Sequence, residues 1–331
     1  MKHVAVITVG NALLDIFLSI QENNIYTQIN KTDHSLCFTY GEKIHVEHCE
    51  FLPGGNACNV AVGLSRLGLP AALCAEIGDD EFSGKILKSV LKENIDTPLL
   101  IQTQSAASSF AVGIGYGGER TLFVEHVERK HDFHFDDVQA KWVYLTSLGE
   151  EWKQAYSRVL DYVKSNGAKL AFSPGTHQFE EEGHRGINEV LRVADILFVN
   201  KEEGEKIVGI MNHESGIKEL LLQLQKLGPK VVSITDGGNG SYAIDVHGVM
   251  YFLPVFSNHV IEKTGAGDAY ASGFLSAIIA EKSVKEAMWW GGLNASSVIE
   301  RVGAQPGLLT QNEIEQKLKE YEGSDTSAKT L

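Results

Sequence analysis

The sequence predicts an α/β fold, a mostly parallel sheet flanked by helices, with a small antiparallel β lid. Three observations lead there. Short β-branched runs alternate with amphipathic segments of helical length, the pattern of parallel strands joined by crossover helices. Two stretches, residues 12–52 and 106–126, carry strand-like alternation and turn residues but no helical period, so they read as an antiparallel excursion from the main sheet. The tract EKTGAGDAYASGF, Glu262 to Phe274, sets glycines directly before an apolar helical stripe.

Taken in order, the core strands are VAVITV (4–9), AALCAEI (71–77), WVYLTS (142–147), KLAFS (169–173), DILFV (195–199) and VVSIT (231–235). The helix after Gly55 gathers Ala57, Val60, Ala61 and Leu64 on one face, and Ser215 to Leu227 carries a similar packing stripe. Phe274, Leu275, Ile278 and Ile279 give the late helix its apolar face, and Trp289 and Trp290 read as core or interface residues. Residues 1–322 form one domain with the lid inserted in it. The polar GSDTSAKTL, 323–331, reads as a disordered tail.

Composition narrows the function. In 331 residues, 43% hydrophobic content supplies ample core. A formal charge of −14 with no Lys/Arg run excludes a nucleic-acid partner. No apolar run reaches membrane-spanning length, and MKHVAVITVG passes into GNALLD without a cleavage-site pattern, so a cytoplasmic location is expected. Cys37, Cys49, Cys58 and Cys74 lack a CxxC pairing and are expected as buried or half-buried thiols.

The GAGD tract carries the chemistry. Gly265 and Gly267 let the backbone come close to a ligand, so that the amides from Gly265 through Ala266 and Gly267 to Asp268 can cradle a phosphate at a helix N-terminus. On chemistry alone Asp268 is equally a helix cap or a base that takes a proton from an attacking hydroxyl. For the acceptor, Asp15 in GNALLD would accept hydrogen bonds from hydroxyls. Gly54 and Gly55 permit close approach, and Asn56 and Asn59 offer donors and acceptors to a polyol, with an N-cap role also open to Asn56.

Other patterns are set aside. GIGYGG (113–118) matches a dinucleotide fingerprint, but ERTLFV follows where a helix is required, so it is a turn between lid strands. GDDEFSGK (78–85) has one residue too many for a Walker loop and Ile86 where a hydroxyl belongs. His45 and His48, and likewise His131 and His134, are expected as solvated surface histidines without a metal.

PGGNACNVAVGLSRLG (53–68), NKEE (200–203), the GAGD tract and NASSVIERVGA (294–304) together resemble the ribokinase-like (PfkB) family of sugar and nucleoside kinases, from about Val4 to Leu309. The resemblance implies a three-layer fold and Mg²⁺-dependent phosphorylation of an alcohol by ATP. It implies Asp268 as base and Gly265, Ala266 and Gly267 as anion hole. It places Asn200 and Glu203 at the Mg²⁺, the carboxylate acting through water. Thr235, Gly237 and Gly240 fall at the nucleotide, and Asn294 and Gly303 at its adenine-side wall. A plain turn competes for Gly237 and Gly240. A homodimer through the lid is implied as well.

The chain also departs from the family. Glu262, Lys263 and Thr264 stand where Asp-Thr-Thr is usual beside a monovalent-cation site, and the Lys263 ammonium either supplies some of that positive charge or points to solvent. SPGTHQF (173–179) replaces an Asp-Pro-Asn segment, and Asn56 replaces the lysine of ribokinases proper. Arg120 is left between substrate and a lid carboxylate. The acceptor reads as a sugar. Alternatives are a nucleoside, its base walled by Phe38, Tyr40 or Phe110, a catalytically silent nucleotide or sugar sensor, or a structural partner assembling through the lid edge.

Overall fold

The computed structural model describes residues 2–21, 23–30, 35–116, 119–179, 183–210, 216–256, 259–321 and 328–331. The chain begins β1 Lys2–Val9, β2 Leu13–Ile20, β3 Thr27–Asn30, β4 Ser35–Phe38, β5 Val46–Gly54, α1 Asn56–Arg66, β6 Ala71–Cys74, β7 Glu76–Ile77 and α2 Glu81–Lys92. It continues β8 Ile101–Gln102, β9 Phe110–Tyr116, β10 Glu119–Glu125, β11 Val138–Thr146, α3 Trp152–Asn166, β12 Lys169–Ser173, α4 Asn188–Val193 and β13 Ile196–Asn200. It ends α5 Lys201–Val208, α6 Ile217–Lys226, β14 Val231–Thr235, β15 Ser241–Ile244, β16 Met250–Leu253, α7 Ala266–Ile279, α8 Val284–Val298, α9 Gln311–Glu320 and β17 Lys329–Thr330.

Among the described residues the large sheet runs β17-β16-β15-β14-β13-β12-β11-β1-β6, parallel from β6 to β14 and antiparallel beyond. Adjacent strand residues face opposite sides, so Val6, Trp142, Ile196 and Val231 enter one core while Ile7, Val143, Leu197 and Val232 enter the other. The first core is closed by α1, α2, α7, α8 and α9, the second by α3, α4, α5 and α6. Both faces being covered is why these strands read as nearly continuous apolar runs.

The lid is a second sheet in the order β10-β9-β2-β5. Its outer pairings are antiparallel, as expected, and the central β2–β9 pairing is parallel. The rejected GIGYGG segment ends β9, with residues 117 and 118 outside the described set. The would-be Walker segment starts α2, where Asp80 caps the helix by accepting from the Ser83 amide (2.9 Å) and the Ser108 hydroxyl (2.6 Å).

Four expectations are corrected. AALCAEI is not one strand: β6 lies at the sheet edge, so the chain peels away at Ala75 and pairs β7 with β8 instead. The tail is not wholly free. Lys329–Thr330 pairs with the open edge of β16, and Ala328 is buried, whereas residues 322–327 lie outside the described set. His131 is buried near Glu76 (3.8 Å) rather than solvated, while His134 is exposed. Cys49 is exposed, because it lies on the uncovered face of β5. The stripe expected from Ser215 becomes α6, beginning at Ile217, with Ser215 outside the described set. Trp290 is core, and Trp289 packs edge-on against Phe256 and near Tyr321.

Helix α1 crosses α7 at Gly63, where a β-carbon would lie 2.3 Å from Ser272 Oγ. This crossing holds the two helices that carry Asn59 and Asp268. Gly63→Val is expected to destabilise the protein by about 1–3 kcal/mol through overpacking, seen as a lower urea midpoint; an unchanged midpoint would show that the helices separate freely.

Candidate active site

The C-terminal ends of the parallel strands and the lid enclose one cleft of about 480 Å³. Strand ends supply Ser173, Asn200 and Thr235, the lid supplies Asp15, α1 supplies Asn56 and Asn59, and the first turn of α7 supplies Gly265, Gly267 and Asp268. Crevices form at this edge of an α/β sheet because the connecting helices leave to opposite faces there.

The α7 N-terminus is built for an anion. Gly265 sits at φ 77°, and a β-carbon on it would lie 2.2 Å from Ala304 Cβ, so glycine is required twice over. No neighbour crowds Gly267, whose backbone opens on the cleft. First-turn amides have no carbonyl within the helix to bond, and the helix dipole adds positive potential. Ala266 departs from expectation: its amide donates to the Lys263 carbonyl (3.2 Å), leaving the hole to Gly265, Gly267 and Asp268.

A buried carboxylate fixes this loop. Glu262 accepts the amides of Thr264 (2.7 Å) and Gly303 (2.8 Å) and pairs with Arg120 of β10 (2.5 Å). The Arg120 guanidinium also covers the Phe17 ring at 4.1 Å. Arg120 therefore ties the lid to the loop before α7, and its charge also reaches Asp15 on the lid strand β2.

Asp268 accepts from Asn59 Nδ2 (2.9 Å), and Asn59 Oδ1 accepts from Gln305 Nε2 (3.0 Å). Asn59 thus holds Asp268 while it lines the cleft, and one Nδ2 hydrogen and one Oδ1 lone pair lie beyond these two bonds. Burial pushes the Asp268 carboxyl up to about 7, opposed by the Asn59 hydrogen bond and reinforced by the Glu203 charge. Burial likewise raises Asp15 to about 7, with Glu262 and Asp268 adding to the rise and Arg120 opposing it. Gly54 packs on that carboxylate: a β-carbon there would lie 2.1 Å from Asp15 Oδ2.

The N-x-x-E element has a structural cause of its own. Asn200 caps α5 by accepting the Glu203 amide (2.8 Å), and Glu203 Oε2 accepts the Asn200 amide (2.8 Å), a reciprocal capping box. Burial raises the Glu203 pKa, with the Asn200 amide opposing. Among the described residues no group of three or more His, Cys, Asp or Glu is placed to hold a metal. One carboxylate with an oxygen outside the box suits Mg²⁺, which keeps several waters and takes other ligands from phosphates.

Several expected residues stay away from the cleft. Asn294 is fully buried, donating to the Ala269 carbonyl (2.9 Å) and Ser272 Oγ (3.1 Å) and accepting from the Leu309 amide (2.9 Å), so it joins α7 to α8 instead of walling an adenine. Gly303 gives its amide to Glu262. Gly237 and Gly240 close the turn between β14 and β15, and of that trio only Thr235 lines the cleft. Phe110 packs on Phe82, while Phe38 and Tyr40 are exposed; none of the three lines the cleft. Lys263 lines a second cavity shared with Arg120 and Glu47.

Conversely, Asn11, Ser147, His126 and His177 line the cleft unforeseen, and Gln305 braces Asn59 from behind. His177 lies in the SPGTHQF segment already marked as departing from pattern, and Asn11 in the GNALLD segment quoted for Asp15; for the others no motif gives a signal.

A pH dependence follows. A base must be ionised, so turnover should fall as pH drops through about 7. For stability the sign is opposite: a carboxyl raised from 3.8 to about 7 binds more protons folded than unfolded, so the empty protein is more stable as pH falls from above 7 toward 4. Asp15→Asn should raise Tm by at least about 2 °C at pH 8 and much less at pH 4, by thermal denaturation; a lower Tm at pH 8 would contradict the burial argument.

Comparison with known proteins agrees with the geometry. Residues 17–311 match the pfkB family carbohydrate kinase. Fructokinase-1 of Zea mays is 28% identical over 299 residues, spanning 81% of this chain and 88% of that protein. The 5-dehydro-2-deoxygluconokinase 2 of Bacillus cereus is 25% identical over 278 residues, spanning 79% and 84%. The fold is that of Arabidopsis thaliana ribokinase, solved with ribose and ATP, at TM-score 0.73 and 20% identity over 96% of this chain and 99% of that one.

Proposed function

We propose that this chain, which belongs to the pfkB family of carbohydrate kinases, transfers the γ-phosphoryl group of ATP to a hydroxyl of a sugar. The observation that carries the reading is the meeting, in one cleft, of a carboxylate held by Asn59 with the open amides of the α7 N-terminus. Fructokinase, deoxygluconokinase and ribokinase relatives support the same reaction class.

In this account Asp268 accepts the proton as the acceptor oxygen bonds to the γ-phosphorus, the bond to the β–γ bridging oxygen breaks, and ADP leaves. The amides of Gly265, Gly267 and Asp268 receive the charge on the transferring group without reorganising, because Glu262 and Ala304 already fix the loop. Asn200, Thr235 and the neighbouring β14–β15 turn lie at the donor end. Glu203, through water, would hold Mg²⁺, which supplies charge neutralisation on the phosphates. Asp15 and Asn56 line the cleft on the acceptor side, and closure of the lid over bound substrates would exclude water, so that transfer outcompetes hydrolysis.

The test is Asp268→Asn assayed by ADP release. Loss of about 10²–10⁴-fold in kcat with folding intact is expected; near-normal turnover removes Asp268 from the role, and a wild type that binds ATP without releasing ADP for any acceptor favours the sensor reading.

The lid also supports a homodimer. Phe51 and Phe123 are exposed on one face of it, in the cross-strand row of Ile16 and Val112, an apolar surface of the kind that marks an interface. Light scattering after size exclusion should give a dimer mass for the wild type and a monomer for Phe123→Glu; a monomeric wild type would reject the pairing.

A further inference from the structure

We propose that the acceptor is an uncharged, hydroxyl-rich molecule, and that this cleft discriminates against sugars bearing a carboxylate or a phosphate. The inference rests on the kinase reading and carries it to the class of acceptor.

Charge at the acceptor end decides the choice. Asp15 and Asp268 line that end, Glu203 lines the same cleft, and among the described residues that line it none is Lys or Arg. An anionic acceptor would therefore enter a field of carboxylates whose one nearby cation, the Arg120 felt at Asp15, is already paired with Glu262. The phosphates of the donor escape this penalty because they meet the α7 amides and their own metal ion. The acceptor end has neither.

The nearest guanidinium is committed elsewhere. Arg120 is paired with Glu262, covers Phe17, and faces the second cavity instead of the cleft. Freeing it would strip Glu262 of its buried counter-charge while the Thr264 and Gly303 amides still depend on that carboxylate.

What the acceptor end does offer is neutral hydrogen bonding. His126, just past β10 on the lid, meets His177, on the loop after β12, edge to face with ring centroids 6.1 Å apart. Partial desolvation and the neighbouring His177 hold the His126 pKa below its ordinary value, which favours the neutral imidazole near pH 7. A neutral imidazole gives one donor and one acceptor, as a hydroxyl does. With Asn11 and Asn56 alongside, the rim matches alcohols and supplies no cation. The pair also spans lid and core, so an acceptor bound there touches both halves of the site.

Two measurements test this. The first is ADP release at pH 7.5 from Mg-ATP with D-fructose, D-ribose and adenosine against D-gluconate and D-fructose 6-phosphate. The best uncharged acceptor should exceed the best charged one by at least about 100-fold in kcat/KM; a charged acceptor that equals or beats it overturns the proposal. The second is His177→Lys, which should shift the ratio toward the charged acceptors by about tenfold or more; an unchanged ratio denies that charge at this rim sets the choice. ATP binding without ADP release for any of the five would instead take down the kinase reading on which the inference stands.

Discussion

The Glu262 carboxylate is the interaction on which the site depends. It is buried, and it accepts two backbone amides while pairing with one guanidinium. Those partners belong to three separate pieces of chain: the loop before α7, the turn after α8, and the lid strand β10. An unpaired carboxylate in that position would carry a desolvation penalty of several kcal/mol, so the three pieces are held in register by the cost of separating them. The αL turn at Gly265 and the open amides behind it inherit their geometry from this staple.

A second set of contacts orients the base. Gln305 donates to Asn59, and Asn59 donates to Asp268, so a chain of amides runs from the loop after α8 through α1 to α7. The close α1–α7 crossing makes the chain possible, since a bulkier residue at Gly63 would push Asn59 away from Asp268. Burial then sets the chemistry: two carboxyls with pKa near 7 in one cleft are poorly solvated when ionised, the condition in which a carboxylate readily takes a proton. The empty site spends stability to keep this reactivity, as functional sites commonly do.

Much of this was legible in the chain before folding. Alternating β-branched runs place the parallel core because both faces of the sheet are covered. The GAGD tract places the α7 N-terminus because Gly265 and Gly267 have no other efficient use before an apolar stripe. What the sequence could not show is where long-range partners fall. Asn294 looks like a polar wall residue in one dimension and proves to be a buried clasp between helices, because its three partners come from α7 and from the loop before α9. Asn59 has the composition of a polyol ligand, and no local pattern shows that Gln305, far away in sequence, braces its carbonyl. The N-x-x-E spacing reads as a metal element in one dimension, and the fold also makes it a reciprocal capping box that uses one of the two Glu203 oxygens. The histidine pair is the plainest case: His126 and His177 are 51 positions apart (177 − 126) and meet only because the lid folds over the end of β12.

In the proposed reaction donor, acceptor and base converge on the first turn of α7. A crystal structure with Mg²⁺, a non-hydrolysable ATP analogue and the preferred sugar would show whether they do. The terminal phosphate is expected against the Gly265 and Gly267 amides, with an acceptor hydroxyl within about 3 Å of Asp268. A terminal phosphate bound away from that turn, or an acceptor whose hydroxyls all lie out of reach of Asp268, would contradict that convergence.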